Sequence, residues 1–271
     1  MGIFKNKVAI VTGAASGIGR CVCLELGKKG AFVAVADINE EGAKKTAAEI
    51  VAAGGRSSAH KLDVSKEAQV EKLVNQVADT HGRLDYMFNN AGVGVGGEVR
   101  DMNLDQWRRV INVNLWGEIF GSHFAYQRMV KQGFGHIVNT ASLAGLVATP
   151  GELPYTTTKF ALVGMTTSWR TEAEGLGVKM SVVCPGFIDT PIFANTEMVR
   201  ADISDMLSTL PFKMTTPEKA AQVIISGVAK NKAIIVVTGH AKAMWWMAKF
   251  TPKVFAVAQK KMIKDFRKVR K

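Results

Sequence analysis

The sequence predicts an α/β fold in which a doubly wound parallel sheet of about seven strands carries helices on both faces. Short apolar segments alternate with amphipathic helical patterns along most of the 271 residues, and a glycine-rich turn directly follows the first apolar segment. Hydrophobic residues make up 47% of the chain, which is enough to bury one large core. We therefore predict one domain over residues 1–240 and a basic amphipathic helical tail over residues 241–271.

The predicted strands are short and rich in Val, Ile and Ala, as is usual for strands covered on both faces. In chain order they are VAIVTG, AFVAVAD, SSAHKLD, LDYMFNN, HIVNTAS, KMSVVCP and AIIVV. Between them, apolar residues recur at helical spacing. The predicted helices cover about residues 16–29, 40–53, 66–81, 104–130 and 217–230, with a further helix around Tyr155 and Lys159. Strands that alternate with helices in this way pair in parallel.

The turn after the first strand, TGAASGIG, has glycines at positions 13, 17 and 19. At this place, between a buried strand and a helix start, backbone N–H groups and the helix dipole can hold a pyrophosphate. Asp37 ends the second strand, where a carboxylate can accept hydrogen bonds from an adenosine ribose. It would also repel a 2′-phosphate, which favours NAD over NADP. A Rossmann-like dinucleotide-binding domain is therefore predicted, with a helix cap as the alternative role of Asp37.

The composition narrows the classes of function. Most of the net charge of +12 lies in the tail, where ten Lys and Arg face the single acid Asp265. The rest of the chain is nearly balanced, which argues against a nucleic-acid-binding protein. Cys21, Cys23 and Cys184 form no paired framework, and no His/Cys cluster indicates a metal. With no signal sequence and no long apolar segment, the expected compartment is the cytoplasm.

Tyr155 and Lys159 stand four residues apart in one predicted helix, so they share one face. A cation beside a phenol lowers the pKa of the phenol from about 10 toward neutrality, which makes it a usable acid or base. The alternative is a polar face of an ordinary amphipathic helix. This pair alone does not decide between the two interpretations.

Seven motifs follow one another along the chain, namely TGAASGIG, Asp37, NNAG at 89–92, NVN at 112–114, Ser142, the Tyr155/Lys159 pair and PG at 185–186. In this order they resemble the short-chain dehydrogenase/reductase family in its compact single-domain form. The resemblance covers about residues 5 to 240, and none of these motifs departs from the family pattern.

The resemblance implies a role for each of four polar residues. Tyr155 would be the general acid/base for the substrate oxygen, which Ser142 would orient by a hydrogen bond. Lys159, together with the positively charged nicotinamide, would lower the pKa of Tyr155 and bind the nicotinamide ribose. Asn114 would hold a water that links Lys159 to solvent. The structural alternatives are a strand end for Ser142 and a backbone-breaking role for Asn114.

The cofactor contacts that the motifs and the resemblance imply extend over the whole edge of the predicted sheet. They involve Gly13, Ser16, Gly17, Ile18, Gly19, Asp37, Asp63, Val64, Asn90, Ala91, Gly92, Tyr155, Lys159, Pro185, Gly186, Ile188 and Thr190. NNAG is also expected to close its strand and pack beside the glycine turn.

The segment from Ile188 to Met214 is expected to form much of the substrate pocket. It contains Ile192, Phe193, Met198, Ile203, Met206, Leu207, Leu210 and Phe212. These side chains suit either a lid over a lipophilic substrate or a helix face packed on the body or on another subunit.

In the tail, a helical projection from Val254 onward separates two faces. One face gathers Phe255, Ala258, Met262, Phe266 and Val269, and the other Lys260, Lys261, Lys264, Arg267, Lys268 and Lys271. Pro252 separates this helix from Trp245 and Trp246. The pattern predicts a helix that lies on an anionic membrane surface. The alternatives are docking on its own domain or a neighbouring subunit, and docking on an acidic partner such as an acyl carrier protein.

The resulting prediction is an NAD(H)-dependent oxidoreductase that interconverts an alcohol and a ketone or aldehyde on a lipophilic substrate of steroid, retinoid or long-chain type. Ser142 and Tyr155 would bind that substrate, and the resemblance implies a homodimer or homotetramer. A 3-oxoacyl-carrier-protein reductase is one alternative, against which Asp37 counts because such reductases generally use NADPH. The other is a non-catalytic NAD(H)-sensing or scaffold protein, against which the complete set of four polar residues counts.

Overall fold

The computed structural model describes residues 2–202 and 213–270. The strands are Val8–Thr12 (β1), Phe32–Asp37 (β2), Arg56–Lys61 (β3), Tyr86–Asn89 (β4), Val95–Gly96 (β5), Gly135–Thr140 (β6), Val178–Cys184 (β7), Glu197–Met198 (β8) and Ile234–Val236 (β9). Seven of them form a sheet in the order β3-β2-β1-β4-β6-β7-β9, and all its neighbouring pairs are parallel. The predicted seven-stranded, doubly wound parallel sheet is confirmed.

The helices lie on both faces of this sheet. They are Gly17–Lys28 (α1), Glu40–Ala52 (α2), Glu67–His81 (α3), Leu104–Ile111 (α4), Gly117–Gln132 (α5), Leu153–Glu172 (α6), Pro191–Ala194 (α7), Pro217–Ala229 (α8), Gly239–Phe250 (α9) and Pro252–Val269 (α10). Because strand side chains alternate between faces, Ala9 and Val11 of β1 pack with α1, α2 and α8, whereas Val8 and Ile10 pack with α3 and α5.

The predicted helix over residues 104–130 is interrupted. A single π-helical turn, Asn112–Trp116, joins α4 to α5. Such wide turns are rare and cluster at functional sites, because they re-aim side chains within a continuous helix. Here the turn carries Asn114, which is fully buried.

The seven parallel strands end at one edge of the sheet, and most of the predicted site motifs follow those ends, whereas NVN and the Tyr155/Lys159 pair lie on helical segments. The glycine turn follows β1, Asp37 ends β2 and NNAG spans the end of β4. Ser142 and Pro185 come just after β6 and β7. In open parallel sheets ligands bind at this edge, near the point where the strand order reverses.

Candidate active site

The glycine turn wraps closely around the end of β1. Gly13 and Gly17 have φ values of +63° and +53°, a region that favours glycine. A Cβ on Gly13 would lie 2.7 Å from the Ala91 Cα, and one on Gly17 would lie 3.1 Å from the Thr190 Cγ2. Glycine is therefore needed here for shape, and the turn leaves its backbone N–H groups at the start of α1.

Asp37 connects the glycine turn to the next helix. Its carboxylate accepts hydrogen bonds from the Ala15 N–H and the Asn39 N–H, each at 2.9 Å. The cap of α2 is Asn39, whose side chain accepts from the Gly42 N–H, so Asp37 is not the helix cap. The half-buried carboxylate of Asp37 stands at the end of β2, in the position that the ribose interpretation requires.

NNAG packs against the glycine turn, as expected. The Asn90 Nδ2 donates to the carbonyl oxygens of Thr12 and Gly13, and the Thr12 hydroxyl accepts from the N–H groups of Asn90 and Ala91. Thr12 was not singled out in the sequence, although it immediately precedes the first glycine. Its hydroxyl ties the ends of β1 and β4 together.

The other predicted cofactor residues differ in how accessible they are. The Asp63 carboxylate accepts from the Ser65 N–H and hydroxyl, and Val64 packs on Gly117. Ile188 is only 3% exposed and belongs to the core, so its side chain has little surface to offer a ligand. Ser16 stands in extended conformation at the N-terminus of α1, and its side chain makes no cap hydrogen bond. Ile18 is half-buried and packs on the core below.

The PG motif is held by the start of α9. A Cβ on Gly186 would lie 2.3 Å from the His240 Nε2 and 2.4 Å from the Thr238 Oγ1. The same His240 nitrogen accepts a hydrogen bond from the Phe187 N–H at 3.0 Å. Pro185 accepts from the Leu143 N–H at 2.6 Å, which joins this loop to the segment after β6.

Asn114 is the most tightly held of the four polar residues. Its Oδ1 accepts from the Val93 N–H at 2.8 Å, and its Nδ2 donates to the Val93 carbonyl at 2.9 Å. The π-helical turn thus fixes the loop that follows NNAG. The side chain is occupied by backbone partners, so the predicted water-holding role of Asn114 stays a prediction.

Ser142, Tyr155 and Lys159 converge beside this loop. The Ser142 Oγ accepts from the Ala144 N–H at 3.1 Å, and the Ser142 side chain is near enough to Tyr155 to lower the pKa of its phenol. The Lys159 Nζ lies 5.5 Å from the centre of the Tyr155 ring. A Cβ on Gly92 would come within 3.9 Å of the same Nζ, so the ammonium faces the NNAG loop. The structure brings the predicted serine, tyrosine and lysine together.

The expected lowering of the Tyr155 pKa does not follow from the chain alone. Burial raises the pKa of the phenol, and the nearby Glu152 carboxyl raises it further, while the hydrogen bond from Ser142 acts in the opposite direction. The free-energy cost of removing water from around a phenolate exceeds the stabilisation that Ser142 provides. Lowering the pKa requires added positive charge at the site.

Glu118 is a member of the site that the sequence analysis missed. It lies on the first turn of α5 and is 1% exposed, with its Oε1 3.4 Å from the Lys159 Nζ. Lys159 also donates to the Thr140 carbonyl at 2.6 Å. A signal was present in the sequence, since Glu118 is the single charged residue in the apolar stretch NLWGEIFG.

The residues present fit a nicotinamide dinucleotide. Gly13 and Gly17 shape a turn that any Cβ would obstruct, and a helix N-terminus opens beside it. A carboxylate stands at the end of β2, and a buried lysine faces Gly92. Together these groups match the pyrophosphate and the two riboses of such a cofactor.

The comparisons with known proteins agree with this geometry. The family model described as short chain dehydrogenase matches residues 7–200. The chain belongs to the short-chain dehydrogenase family. It is accordingly an oxidoreductase that acts on CH–OH groups. Members of the family bind small-molecule substrates and are commonly oligomeric.

Three relatives of this dehydrogenase illustrate the range of the family. The chain is 37% identical to a cyclohexanol dehydrogenase of Acinetobacter sp. over 82% of its length and 87% of that protein. It is 34% identical to the 3-oxoacyl-[acyl-carrier-protein] reductase FabG of Thermotoga maritima, over 82% and 89%. The crystal structure of a Burkholderia phymatum short-chain dehydrogenase/reductase in complex with NAD superimposes with a TM-score of 0.86 and 27% identity, covering 94% and 96% of the two chains.

In this dehydrogenase the tail docks on the domain beside the active site. Phe255 of α10 packs near Leu143 and Val147, which follow Ser142 in the chain. Gln259 donates to the Ala148 carbonyl in the same segment. These contacts favour the docking alternative, in which α10 covers its own domain.

Two arginines complete this docking. Arg267 donates through Nε and Nη2 to the Glu98 Oε1 at 2.9 and 2.7 Å, and Arg270 binds Asp101 through two hydrogen bonds of the same lengths. Both acids lie on the loop after NNAG. The predicted division of the helix is therefore wrong in part, because Arg267 of the basic face contacts the body and Met262 of the apolar face is 42% exposed.

The sequence predicts neither a metal site nor a membrane-spanning helix. Among residues 2–202 and 213–270, no group of His, Cys, Asp and Glu has the arrangement of a metal site. In the same part of the chain, none of the helices combines the length and the apolar character needed to cross a bilayer.

Proposed function

We propose that this chain is an NAD(H)-dependent dehydrogenase that interconverts an alcohol and a ketone or aldehyde, with Tyr155 as the general acid/base. The observation that carries the proposal is the convergence of Ser142, Tyr155 and Lys159 next to the NNAG loop and the glycine turn. When bound, the nicotinamide would accept or supply the hydride. The chain must then supply proton transfer, orientation of the substrate and the exclusion of water.

Each of these side chains has a proposed task. Ser142 and Tyr155 would present two hydroxyls to one substrate oxygen, which would orient the reacting carbon toward the nicotinamide. In the direction of reduction, Tyr155 donates its phenolic proton to the substrate oxygen, and in the direction of oxidation it removes that proton. The buried ammonium of Lys159 stabilises the phenolate form.

NAD rather than NADP is the proposed cofactor because Asp37 stands at the end of β2. A carboxylate at this position suits a free ribose hydroxyl pair and repels a phosphate. This also counts against the 3-oxoacyl-carrier-protein reductase alternative. The likeness to the Burkholderia phymatum protein, which was crystallised with NAD, supports the choice.

A lipophilic substrate is proposed from the apolar side chains beside the site. Ile192, Phe193 and Met198 are half-buried on the segment after the PG motif, and the Phe187 and Phe193 rings stack with centres 6.2 Å apart. The similarity to a dehydrogenase named for cyclohexanol agrees with an aliphatic substrate. Five further residues of the predicted lid, Ile203, Met206, Leu207, Leu210 and Phe212, lie outside the described residues.

The proposal that the tail binds a membrane now rests only on the side chains that stay exposed when α10 is docked. After α10 has docked, Trp246, Phe250, Val254 and Val257 are each about 60% exposed or more. Lysines of α10 that do not contact the body, such as Lys260 and Lys261, are also exposed. Exposed apolar side chains among lysines suit an anionic membrane surface.

A homodimer or homotetramer and a cytoplasmic location are likewise predictions.

The test of the reaction is the loss of turnover in Tyr155→Phe. We expect NAD-dependent oxidation of at least one alcohol in a panel of cyclic, steroid, retinoid and long-chain alcohols. The variant should lose about 10²- to 10⁴-fold in kcat, as removal of a general base does, with NADH binding retained. The measurement is NADH formation, with NADH fluorescence for binding.

Tyr126→Phe is the matched control, because its ring packs on Trp169 away from the site and it should keep its activity. Turnover retained in Tyr155→Phe would refute the mechanism. NADH binding without turnover of any alcohol in the wild type would favour the sensor alternative.

A further inference from the structure

Glu118 is a buried acid that the proposed mechanism does not use. Its side chain is 1% exposed, and its Oε2 has no hydrogen-bond partner among the described residues. A buried carboxyl with an unsatisfied oxygen is costly, so its presence calls for a physical reason. Within residues 2–202 and 213–270, its charged partner is Lys159, whose Nζ lies 3.4 Å from the other carboxyl oxygen.

The ammonium of Lys159 has few means of keeping its charge. Lys159 is 3% exposed, and apart from Glu118 its Nζ donates to the carbonyl of Thr140. Burial lowers the pKa of Lys159, and Glu118 is the largest influence that raises it. Burial likewise raises the pKa of Glu118, against the attraction of the Lys159 ammonium. Burial thus opposes the charge on both partners, while their mutual attraction supports it.

The other titratable groups around the pair do not replace Glu118. Cys184 of β7 faces Lys159, but burial raises the pKa of its thiol to about 12, so it is neutral. Tyr155 and Glu152 lie on and before α6, and burial raises the pKa of Glu152 to about 7. Glu152 acts on Tyr155, not on Lys159.

We propose that Glu118 shares one proton with Lys159 and thereby sets the charge of Lys159 beside Tyr155, which makes it a positioning residue for the reaction. Glu118 contacts no reacting atom. It acts through the lysine, and its charge also raises the pKa of Tyr155 directly. This inference rests on the proposed function, because it gives the charge of Lys159 a part in the chemistry at Tyr155. The carboxyl keeps a proton available to the lysine nitrogen up to a higher pH than the buried lysine could hold it alone.

The pH profile of Glu118→Gln tests this role. The amide keeps the shape of the side chain but removes the acid, so Lys159 should lose its proton at lower pH. The alkaline limb of kcat/KM should move by about 1 pH unit or more toward lower pH, as expected when an opposite charge at this distance is removed. A fall in kcat/KM at every pH with the limb unmoved would mean a structural role and would overturn the proposal.

Two further variants guard against a loss of folding in Glu118→Gln. Glu118→Leu replaces the carboxyl with an apolar side chain, so that no unsatisfied oxygen is left. It should also move the alkaline limb toward lower pH, and it takes the place of Glu118→Gln if that variant does not fold. Asp85→Asn makes the same acid-to-amide change at another buried acid, which pairs with Lys7 and Arg83 at the opposite end of β4. It should lower stability and leave the alkaline limb in place. A shift of equal size in Asp85→Asn would overturn the proposal.

A spectroscopic measurement tests the shared proton without substrate. In infrared spectra, the carboxylic C=O band that disappears in Glu118→Gln should lose intensity over the same pH range as the alkaline limb. A Glu118 band that does not change over that range would overturn the proposal. If the wild type turns over none of the alcohols, the proposed function fails, and the infrared titration by itself then supports or overturns the shared proton.

Discussion

At Tyr155, burial and charge act in opposite directions on one phenol. The ring is half-buried, the Ser142 side chain lowers the pKa of its hydroxyl, and the Lys159 Nζ lies 5.5 Å from the centre of the ring. Burial dominates within the chain, so the phenol is a weak acid until positive charge is added. If Tyr155 is the general base, as proposed, it would become effective only when the cofactor and substrate are in place.

Asp37 combines a structural and a selective role in one carboxylate. Its two hydrogen bonds hold the glycine turn and the start of α2, while its charge faces the end of β2 where a ribose would lie. Removing it should therefore affect the choice of cofactor and the order of the turn at the same time.

We predict that kcat/KM is at least about tenfold higher with NAD than with NADP, because a carboxylate and a phosphate a few ångströms apart repel by about 1 kcal/mol in water and more in a partly buried site. Asp37→Asn should narrow this ratio while keeping an acceptor oxygen for the turn. Steady-state kinetics with both cofactors measure it. A wild type that prefers NADP would show that Asp37 does not select the cofactor.

At the scale of elements, neighbouring strands hold each other through buried polar pairs as well as through their backbones. His136 of β6 lies 2.8 Å from the Ser181 Oγ of β7, and that hydroxyl donates to the Lys232 carbonyl. Because the serine proton is used there, the His136 Nε2 must be the donor. Burial lowers the pKa of His136 to about 3, with Lys179 and Arg170 adding to the effect.

This pair predicts acid sensitivity. The pKa of His136 is about 3 in the folded chain and about 6.5 when unfolded, so unfolding takes up a proton between these values and stability falls as the pH falls from 6.5 toward 3. Between pH 7 and pH 5 the loss due to His136 is about 2 kcal/mol. Urea unfolding should show that His136→Gln loses less stability than the wild type over this range. Equal losses would show that His136 is not responsible.

At the scale of the whole molecule, the tail links two loops that border the active site. Phe255 packs near the segment after Ser142, and Arg267 and Arg270 bind the loop after NNAG. The hydrogen bond from Arg267 lowers the pKa of Glu98, and that from Arg270 lowers the pKa of Asp101. The basic side chains of the tail therefore fall into two groups: Arg267 and Arg270 bind the body, and lysines such as Lys260 and Lys261 are exposed.

Two double variants test the docked arginines and the exposed lysines independently. Arg267→Ala/Arg270→Ala should raise the KM for the alcohol several-fold and leave the affinity for NADH unchanged, because it frees the loop after NNAG. Lys260→Ala/Lys261→Ala removes the same number of charges from exposed positions and should leave KM unchanged. If the tail binds membranes, the lysine variant should weaken binding to phosphatidylserine vesicles about thirtyfold, at about 1 kcal/mol per lysine.

The measurements are steady-state kinetics and vesicle flotation. Unchanged KM in the arginine variant would show that the docking has no part in substrate binding. Equal loss of vesicle binding in the two variants would indicate a response to net charge alone, and no binding in the wild type would refute the membrane proposal.

Much of the fold was predictable because the signals were local. Apolar strands, helical spacing and glycines in their order predicted the seven parallel strands and the helices between them, within one or two residues at most boundaries. The π-helical turn at Asn112–Trp116 was not predicted, because a wide turn leaves the helical spacing of its neighbours almost unchanged. Glu118 was missed because its partner is 41 residues away along the chain.

The sequence by itself determined which residues could do chemistry and the order in which they follow the strands. Parallel pairing then brought those strand ends to one edge, as the alternation of strands and helices requires. Only the tertiary structure decided the surroundings of each group. Whether Tyr155 is a strong or a weak acid, whether Arg267 faces water or Glu98, and whether Glu118 meets Lys159 depend on burial and on contacts between distant segments. Those quantities arise only when the elements pack, because the cost of removing water is set by the neighbours that replace it.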